Sequence, residues 1–208
     1  MSLKYGAALL AAFIIFSCAV LFVPEVSQWD ISCIVSVQNA LSGISKGIPI
    51  AMGGIIFDIS IFIPLILGGL YFFCSKMYLN CFLFAVSPFL AYFLNGMLKE
   101  LIQRPRPPLE LQFEEHMSSS SYVSRHTFVT ACLWGLNIYF LHKYCKNNAL
   151  KHILTVLSAF WIFFEGFSRV WMGVHHPSDV IGALILAAVF LIFYVNLIQK
   201  LNEKVKIK

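Results

Sequence analysis

The chain has 208 residues, of which 59% are hydrophobic and only 12% carry a formal charge. Soluble domains carry about 25% charged residues, so this composition excludes a disordered chain, a secreted disulfide scaffold and an ordinary cytosolic enzyme. Because a membrane-spanning helix needs about 20 apolar residues, six such helices and their short loops fill most of the chain. We therefore expect one integral membrane domain over residues 1–208.

The net charge is +5. In a soluble protein this excess would suggest a nucleic-acid partner. In a membrane protein the positive-inside rule accounts for part of it, so we predict no nucleic-acid binding. The six cysteines form no Cys-x-x-Cys pair, and we interpret them as small core residues rather than disulfides or metal ligands.

The first apolar segment, residues 6–23, predicts a membrane span, although the apolar part of a signal peptide would look similar. Residues 27–46 differ, because apolar side chains recur at helical spacing between polar ones: Ile31, Ile34, Val37, Leu41 and Ile44. This pattern predicts an amphipathic helix that lies in the membrane interface. A re-entrant helix, or a helix that is merely packed on the bundle, is the alternative.

Five further apolar segments predict membrane spans, at about residues 50–74, 77–98, 127–145, 151–168 and 177–199. Between the third and fourth spans lies the longest polar stretch, 99–126, which contains three prolines and a run of four serines at 118–121. We interpret the serine run as a mobile loop. The predicted fold is an all-α, polytopic bundle of six transmembrane helices.

The basic residues predict the topology of this bundle. Six spans place both termini on one side of the membrane together with nine lysines, whereas six basic residues fall on the other side. This bias predicts cytoplasmic termini. All four arginines fall on the outer side, in the loops 99–126 and 168–178. Because the guanidinium fork matches phosphate oxygens, their clustering indicates a phosphate ligand there.

Arginine and lysine also bracket a proline-rich segment on the outer side. Pro105 and Pro107 end any helix that continues from the third span, so we expect Arg106 to fold back toward Lys99. We expect the neighbouring Arg104 to be an ordinary surface residue, with binding of phosphate or a lipid head group as the alternative.

Histidine and aspartate side chains on the same side complete a reactive set. Pro177 fits the first turn of the last span, which places Asp179 in that turn and His175 just before it. A histidine that is oriented by a carboxylate can act as a nucleophile, because the carboxylate fixes the tautomer and stabilises the charged ring. His126 supplies a second imidazole for proton transfer. Three cations would stabilise a transferring phosphoryl group: Lys99, Arg106 and Arg169.

These segments resemble the three-part signature of the type 2 phosphatidic acid phosphatase superfamily, which reads Lys-x6-Arg-Pro, Pro-Ser-Gly-His and Ser-Arg-x5-His-x3-Asp. The first part matches at Lys99, Arg106 and Pro107, and the signature region extends over residues 99–179. The third part also matches with full spacing, at Ser168, Arg169, His175 and Asp179. The predicted spans indicate the bacterial membrane branch of lipid phosphate phosphatases rather than the soluble acid phosphatases or vanadium haloperoxidases.

The resemblance implies a role for each matching residue. His175 would attack phosphorus and become phosphorylated, Asp179 would orient it, and His126 would protonate the leaving oxygen and then activate water. The phosphoryl oxygens would be bound by a set of four side chains: Lys99, Arg106, Arg169 and Ser124. The resemblance implies no metal and no other cofactor.

The resemblance also implies a substrate class and a location. Candidate substrates are undecaprenyl diphosphate, phosphatidylglycerophosphate, phosphatidic acid and lipid A. Hydrolysis would take place at the outer face of the bacterial cytoplasmic membrane.

The second part of the signature departs from the pattern at two positions. Val123 stands where the family has proline, and Arg125 stands where it has glycine. Arg125 keeps the backbone N–H but adds bulk and a positive charge. Three consequences of this arginine are compatible with the sequence: it contacts a second phosphate, it reduces activity, or it faces solvent.

The sequence leaves two alternatives to a metal-independent phosphatase. One is a non-enzymatic protein that binds or transports phospholipid head groups through the same basic pocket. The other is a metal-dependent hydrolase, although the candidate ligands have no metal-binding spacing: Glu114, Glu115, His116, His126, His175 and Asp179. We interpret His176 as a helix cap or interface residue and assign no role to Asp58 or Glu165.

Overall fold

The structure, a computed structural model, describes residues 3–114 and 120–206. It contains eight α-helices within these ranges: α1 Leu3–Phe22, α2 Pro24–Ala40, α3 Gly47–Ala51, α4 Phe57–Cys74, α5 Tyr78–Ile102, α6 Arg125–Tyr144, α7 Asn148–Trp171 and α8 Pro177–Lys206. A π-helical turn, Met52–Ile56, joins α3 to α4, and a short 3-10 turn, Leu109–Leu111, follows α5. The all-α prediction is confirmed, because no strand occurs in the described ranges. Glu115 and His116 lie outside them.

Five helical segments are long and apolar enough to cross a membrane, counted over the part of the chain that the structure describes: Leu3–Phe22, Gly47–Cys74, Tyr78–Ile102, Asn148–Trp171 and Pro177–Val205. The sixth long helix of the predicted bundle is α6. It begins with Arg125 and His126 and ends near Lys143, which makes it less apolar. Helix α6 packs against α4, α5, α7 and α8, so it lies in the interior of the bundle.

The long helices group the loop after α5 with the start of α8 at one end of the bundle. Helix α1 runs antiparallel to α8: Gly6 packs on Ile192, whereas Ser17, farther along α1, lies 2.7 Å from the hydroxyl of Tyr122, which packs on Gly182 near the start of α8. At the opposite end, the side-chain amide of Asn80 donates to the Tyr144 hydroxyl (3.0 Å). The side-chain amide of Asn202, near the end of α8, donates to Asn80 (2.8 Å), so the start of α1 and the end of α8 lie away from the loop that carries the predicted site.

Aromatic packing fixes the positions of α4, α5 and α6. The rings of Phe72, Phe84 and Phe140 meet edge to face, with centroids 4.7 to 5.9 Å apart. Gly68 allows the close approach of α4 to α5, because a Cβ atom there would lie 2.5 Å from the ring of Phe84. Each such ring pair contributes about 0.5–1.5 kcal/mol beyond the apolar area that it buries.

The amphipathic segment forms α2, as predicted, but the helix begins at Pro24 and ends at Ala40. Proline suits the first helical turn because its missing N–H has no helical acceptor there. The side-chain amide of Gln38 donates to the carbonyls of Leu111 (2.7 Å) and Trp171 (3.1 Å). The helix is therefore packed across the ends of neighbouring elements, and its place in the membrane interface stays a prediction.

The loop after α5 is more ordered than the sequence suggests. Helix α5 ends at a left-handed residue, Gln103, two positions before Pro105, in keeping with the helix-ending role predicted for the prolines. Ser121, the last residue of the serine run, is buried and its N–H donates to the carbonyl of Arg104 (2.7 Å), while the mobility predicted for the run stays a prediction. The first two serines, 118–119, lie outside the described residues.

Candidate active site

Asp179 lies in the first turn of α8, where its side chain caps the helix. It is the third residue of that helix, and its Oδ2 accepts from the backbone N–H of His176 at 2.9 Å. A carboxylate at this position satisfies a donor that the helix itself leaves without an acceptor. His176 directly precedes the helix, which agrees with the first of the two roles predicted for it, helix cap or interface residue.

The same carboxylate orients His175. The Nδ1 atom of His175 lies 3.3 Å from Asp179 Oδ2, and the Ser121 hydroxyl donates to that oxygen from the loop before α6. Because a carboxylate can only accept, the Nδ1 atom carries the proton. The other ring nitrogen, Nε2, then holds the lone pair and faces away from Asp179.

Burial controls the protonation of His175. The side chain is 3% exposed, and its burial lowers the pKa to about 3, whereas Asp179 opposes that shift. The imidazole is therefore neutral at physiological pH, which is the form that can attack an electrophile.

Arg104 is not a surface residue, contrary to the expectation from the sequence. It is 6% exposed, and its guanidinium pairs with two carboxylates, Asp179 Oδ1 (2.5 Å) and Asp30 Oδ2 (2.7 Å). Asp30 also accepts from the backbone N–H (2.9 Å) and hydroxyl (2.6 Å) of Ser178. A buried charge is costly unless it is paired, so this network allows Asp179 to remain charged inside the protein.

Two of the predicted phosphate-binding cations donate to neutral backbone carbonyls. Lys99 Nζ donates to Ser120 O (2.5 Å), and Arg106 Nη1 donates to Val174 O (2.6 Å). Burial lowers the pKa of Arg106, and the nearby guanidinium groups of Arg125 and Arg169 lower it further, whereas Asp179 opposes this. The site thus concentrates positive charge, which an anion would relieve.

Arg169 approaches the site from the end of α7. Its Nε forms an ion pair with Oε1 of Glu165 at 3.4 Å, so the buried glutamate, for which the sequence predicted no role, is the charge partner of Arg169. A Cβ atom at Gly53 would lie 1.9 Å from Arg169 Nη2, so glycine in the π-helical turn leaves room for the guanidinium group in this position. Among the described residues, Nη2 has no hydrogen-bond acceptor. This buried spare donor fits an anionic ligand.

The segment 123–126 lies at the start of α6. Ser124 is buried, its N–H donates to the carbonyl of Asp179 (3.2 Å), and its hydroxyl accepts from Thr127 (3.0 Å). The first of these bonds joins the start of α6 to the first turn of α8, and the second is local to α6. The ring of His126 packs on Phe57, with centroids 4.2 Å apart. Phosphate binding by Ser124 and proton transfer by His126 stay predictions.

Two depressions meet at the beginning of α6. A polar cavity of about 530 Å³ is lined by Gly96, Lys99, Glu100, Gln103, Arg104, Pro105, Ser120 and Arg125. An apolar groove of about 400 Å³ runs between α4, α5 and α6, and its lining includes Phe57, Phe62, Phe89, Tyr92, Arg125 and His126. A polar head group suits the first and an acyl or prenyl chain suits the second.

The structure adds residues that the sequence analysis did not select. Ser121 contacts Asp179, and Gly53 lies against Arg169. Asp30 reaches the site through Arg104, which pairs with Asp179. An acidic residue inside an amphipathic stripe was a usable signal for Asp30, whereas Ser121 looked like any residue of a serine run. No local pattern marked Gly53 as a site residue, because the group that lies against it, the guanidinium of Arg169, is distant in sequence.

Comparison with known proteins identifies the family. The sequence matches the PAP2 superfamily over residues 63–203, which is more than half of the chain. The chain belongs to the PAP2 superfamily. Within the match lie all the predicted site residues, including both histidines and the four arginines.

Relatives within the superfamily support a membrane protein. The chain is 35% identical to phosphatidylglycerophosphatase B of Bacillus subtilis (strain 168) over 117 residues, 54% of this chain and 53% of that one. The chain thus spans about half the length of this relative. The fold also matches the crystal structure of a transmembrane PAP2 type phosphatidylglycerolphosphate phosphatase from Bacillus subtilis, with a TM-score of 0.77, 25% identity and 96% of both chains covered. These similarities and the apolar helices show that this PAP2 chain is a multi-pass membrane protein.

Removing Asp30 should destabilise the protein, because Arg104 would lose one of its two buried carboxylate partners. We expect Asp30→Ala to lower the free energy of unfolding by about 3 kcal/mol, measured by denaturant unfolding in detergent micelles. Glu25→Ala is the matched control, since Glu25 is an exposed acid on the same helix, and should change stability by less than about 0.5 kcal/mol. Equal effects of the two variants would contradict the role given to Asp30.

The protonation state of His175 can be observed directly. In the ¹⁵N spectrum of histidine-labelled protein, the signal that His175→Asn removes should remain that of a neutral ring protonated at Nδ1 from pH 8 to pH 5. The pKa of about 3 predicts no titration in this range, because the ring gains a proton only near that value. A midpoint near 6.5, the ordinary value, would show that burial does not control this group.

Proposed function

We propose that this PAP2 protein is a membrane lipid phosphatase that works through a phosphohistidine. The observation that carries the proposal is the buried His175–Asp179 pair, with Nδ1 3.3 Å from the carboxylate and the charges of Lys99 and Arg106 close enough to act on the ring. Its neutral Nε2 has the lone pair required for attack on phosphorus. Lys99, Arg106 and Arg169 offset the charge of the transferring phosphoryl group.

The reaction divides into two displacements. In the first, a bond forms between Nε2 of His175 and phosphorus while the bond to the lipid oxygen breaks, and His126 gives that oxygen a proton. In the second, His126 takes a proton from water, whose oxygen attacks phosphorus. The bond to Nε2 breaks, inorganic phosphate leaves, and the neutral imidazole is restored. No metal ion is needed for either step.

The substrate class follows from the relatives and from the shape of the surface. Both relatives are named as phosphatases of phosphatidylglycerophosphate. The apolar groove adjoins the polar cavity, which suits a lipid whose phosphate enters the cavity while its tail remains in the groove. We therefore propose a lipid phosphate as substrate.

The proposed orientation is with termini in the cytoplasm and the site on the outer face of the bacterial inner membrane. The site lies at the end of the bundle opposite to the termini. Nine lysines group with the termini, and an excess of lysine and arginine marks the cytoplasmic side.

Replacing the proposed nucleophile tests the function. Purified wild-type protein in mixed micelles should release phosphate from lipid phosphates in the presence of a chelator, and His175→Ala should lower this rate at least about a thousandfold. His152→Ala removes an exposed histidine at the other end of the bundle and should retain the wild-type rate. Unfolding profiles of both variants should match that of the wild type.

Other outcomes would select the alternatives. Unchanged turnover in His175→Ala would refute the histidine mechanism. Activity that is lost with chelator, and is insensitive to vanadate, would indicate a metal-dependent hydrolase. Lipid binding without phosphate release would indicate a head-group binding protein.

A further inference from the structure

Arg125 is held in place by neutral groups. Its guanidinium lies over the ring of Tyr92, 4.3 Å from the centroid, and its Nη1 donates to the hydroxyl of that tyrosine at 2.9 Å. Its Nε donates to the Asn95 side-chain carbonyl (3.2 Å), and the Asn95 amide is fixed in turn by Val123 O (3.1 Å). The side chain is therefore oriented before any ligand arrives.

The charge of Arg125 is not neutralised by an acidic partner. In the described ranges 3–114 and 120–206, the carboxylates that pair with arginine are those of Asp30, Glu165 and Asp179, and none of them pairs with Arg125. By contrast, Arg104 has two carboxylate partners. A fixed guanidinium whose partners are all neutral is suited to bind an anion.

Arg125 also occupies a distinct position, because it alone among the described residues lines both the polar cavity and the apolar groove. A lipid with its tail in the groove and its reacting phosphate in the polar cavity, which Lys99 also lines, would lie against this residue. The part of the lipid beside Arg125 is then the part between the reacting phosphate and the tail. Asp58, which lines the groove, disfavours a phosphate deeper on the tail side.

We propose that Arg125 binds a second phosphate, one that the lipid retains after hydrolysis, and so favours lipids with two phosphates over phosphatidic acid. This inference rests on the proposed phosphatase function. Two kinds of lipid share the required chemistry. In a prenyl diphosphate the two phosphates are directly linked, and in phosphatidylglycerophosphate a glycerol separates them. Hydrolysis of either releases the terminal phosphate and leaves the inner one on the lipid.

The test compares kcat/KM for three lipids: phosphatidic acid, phosphatidylglycerophosphate and a polyprenyl diphosphate, each in the same mixed micelles. Because a charged hydrogen bond is lost, Arg125→Ala should lower kcat/KM for at least one two-phosphate lipid about tenfold or more beyond its effect on phosphatidic acid. The lipid with the larger loss identifies the spacing that Arg125 recognises. Arg125→Lys should restore part of the preference, since it keeps the charge but not the fork.

Lys46→Ala is the matched control, because it removes an exposed positive charge at the same end of the bundle, near Phe113. It should leave the ratio between lipids unchanged. An equal loss on all three lipids in Arg125→Ala, with the wild-type unfolding profile, would overturn the inference while the proposed function stands. If the wild type hydrolyses none of them, the proposed function fails. Equal binding of inorganic pyrophosphate by wild type and Arg125→Ala would then overturn the inference by itself.

Discussion

The buried carboxylate of Asp179 is the group on which the arrangement of the site depends. It caps α8, orients His175, and accepts from Arg104 and Ser121, which lie near the two ends of the connection between α5 and α6. A charge without water is unfavourable unless donors surround it. The donors that satisfy Asp179 come from separate parts of the chain. They surround the carboxylate only when the site assembles, so the charge of Asp179 links these parts together. Asp30 extends this network to α2, which closes the same end of the bundle.

The cations divide according to what they contact. Arg104 pairs with carboxylates and serves to hold the site together, whereas Lys99 and Arg106 donate to the backbone carbonyls of Ser120 and Val174. Arg169 has a carboxylate partner at Nε, which is Glu165, but its buried Nη2 has no acceptor among the described residues. The clustering of arginine at one end of the bundle therefore reflects construction of the site as well as phosphate binding.

Much of this was predictable from local sequence. Apolar length identifies the spans, helical spacing identifies α2, and the spacing of His175 and Asp179 predicts their contact, because all of these are short-range properties. The error on Arg104 has a different origin: its partner Asp30 is 74 positions away, and no local pattern reports such a pair. The order at Ser121 likewise comes from Asp179, not from the composition of the serine run.

Whether His175 carries the phosphoryl group is tested most directly by trapping the intermediate. The protein would be mixed with a lipid phosphate that carries ³²P in its terminal phosphate, quenched in alkali, which preserves phosphohistidine, and digested for peptide mapping. We predict label on the peptide that contains His175 during turnover, and none in His175→Asn. Turnover with no labelled protein, or with the label on another residue, would contradict the mechanism.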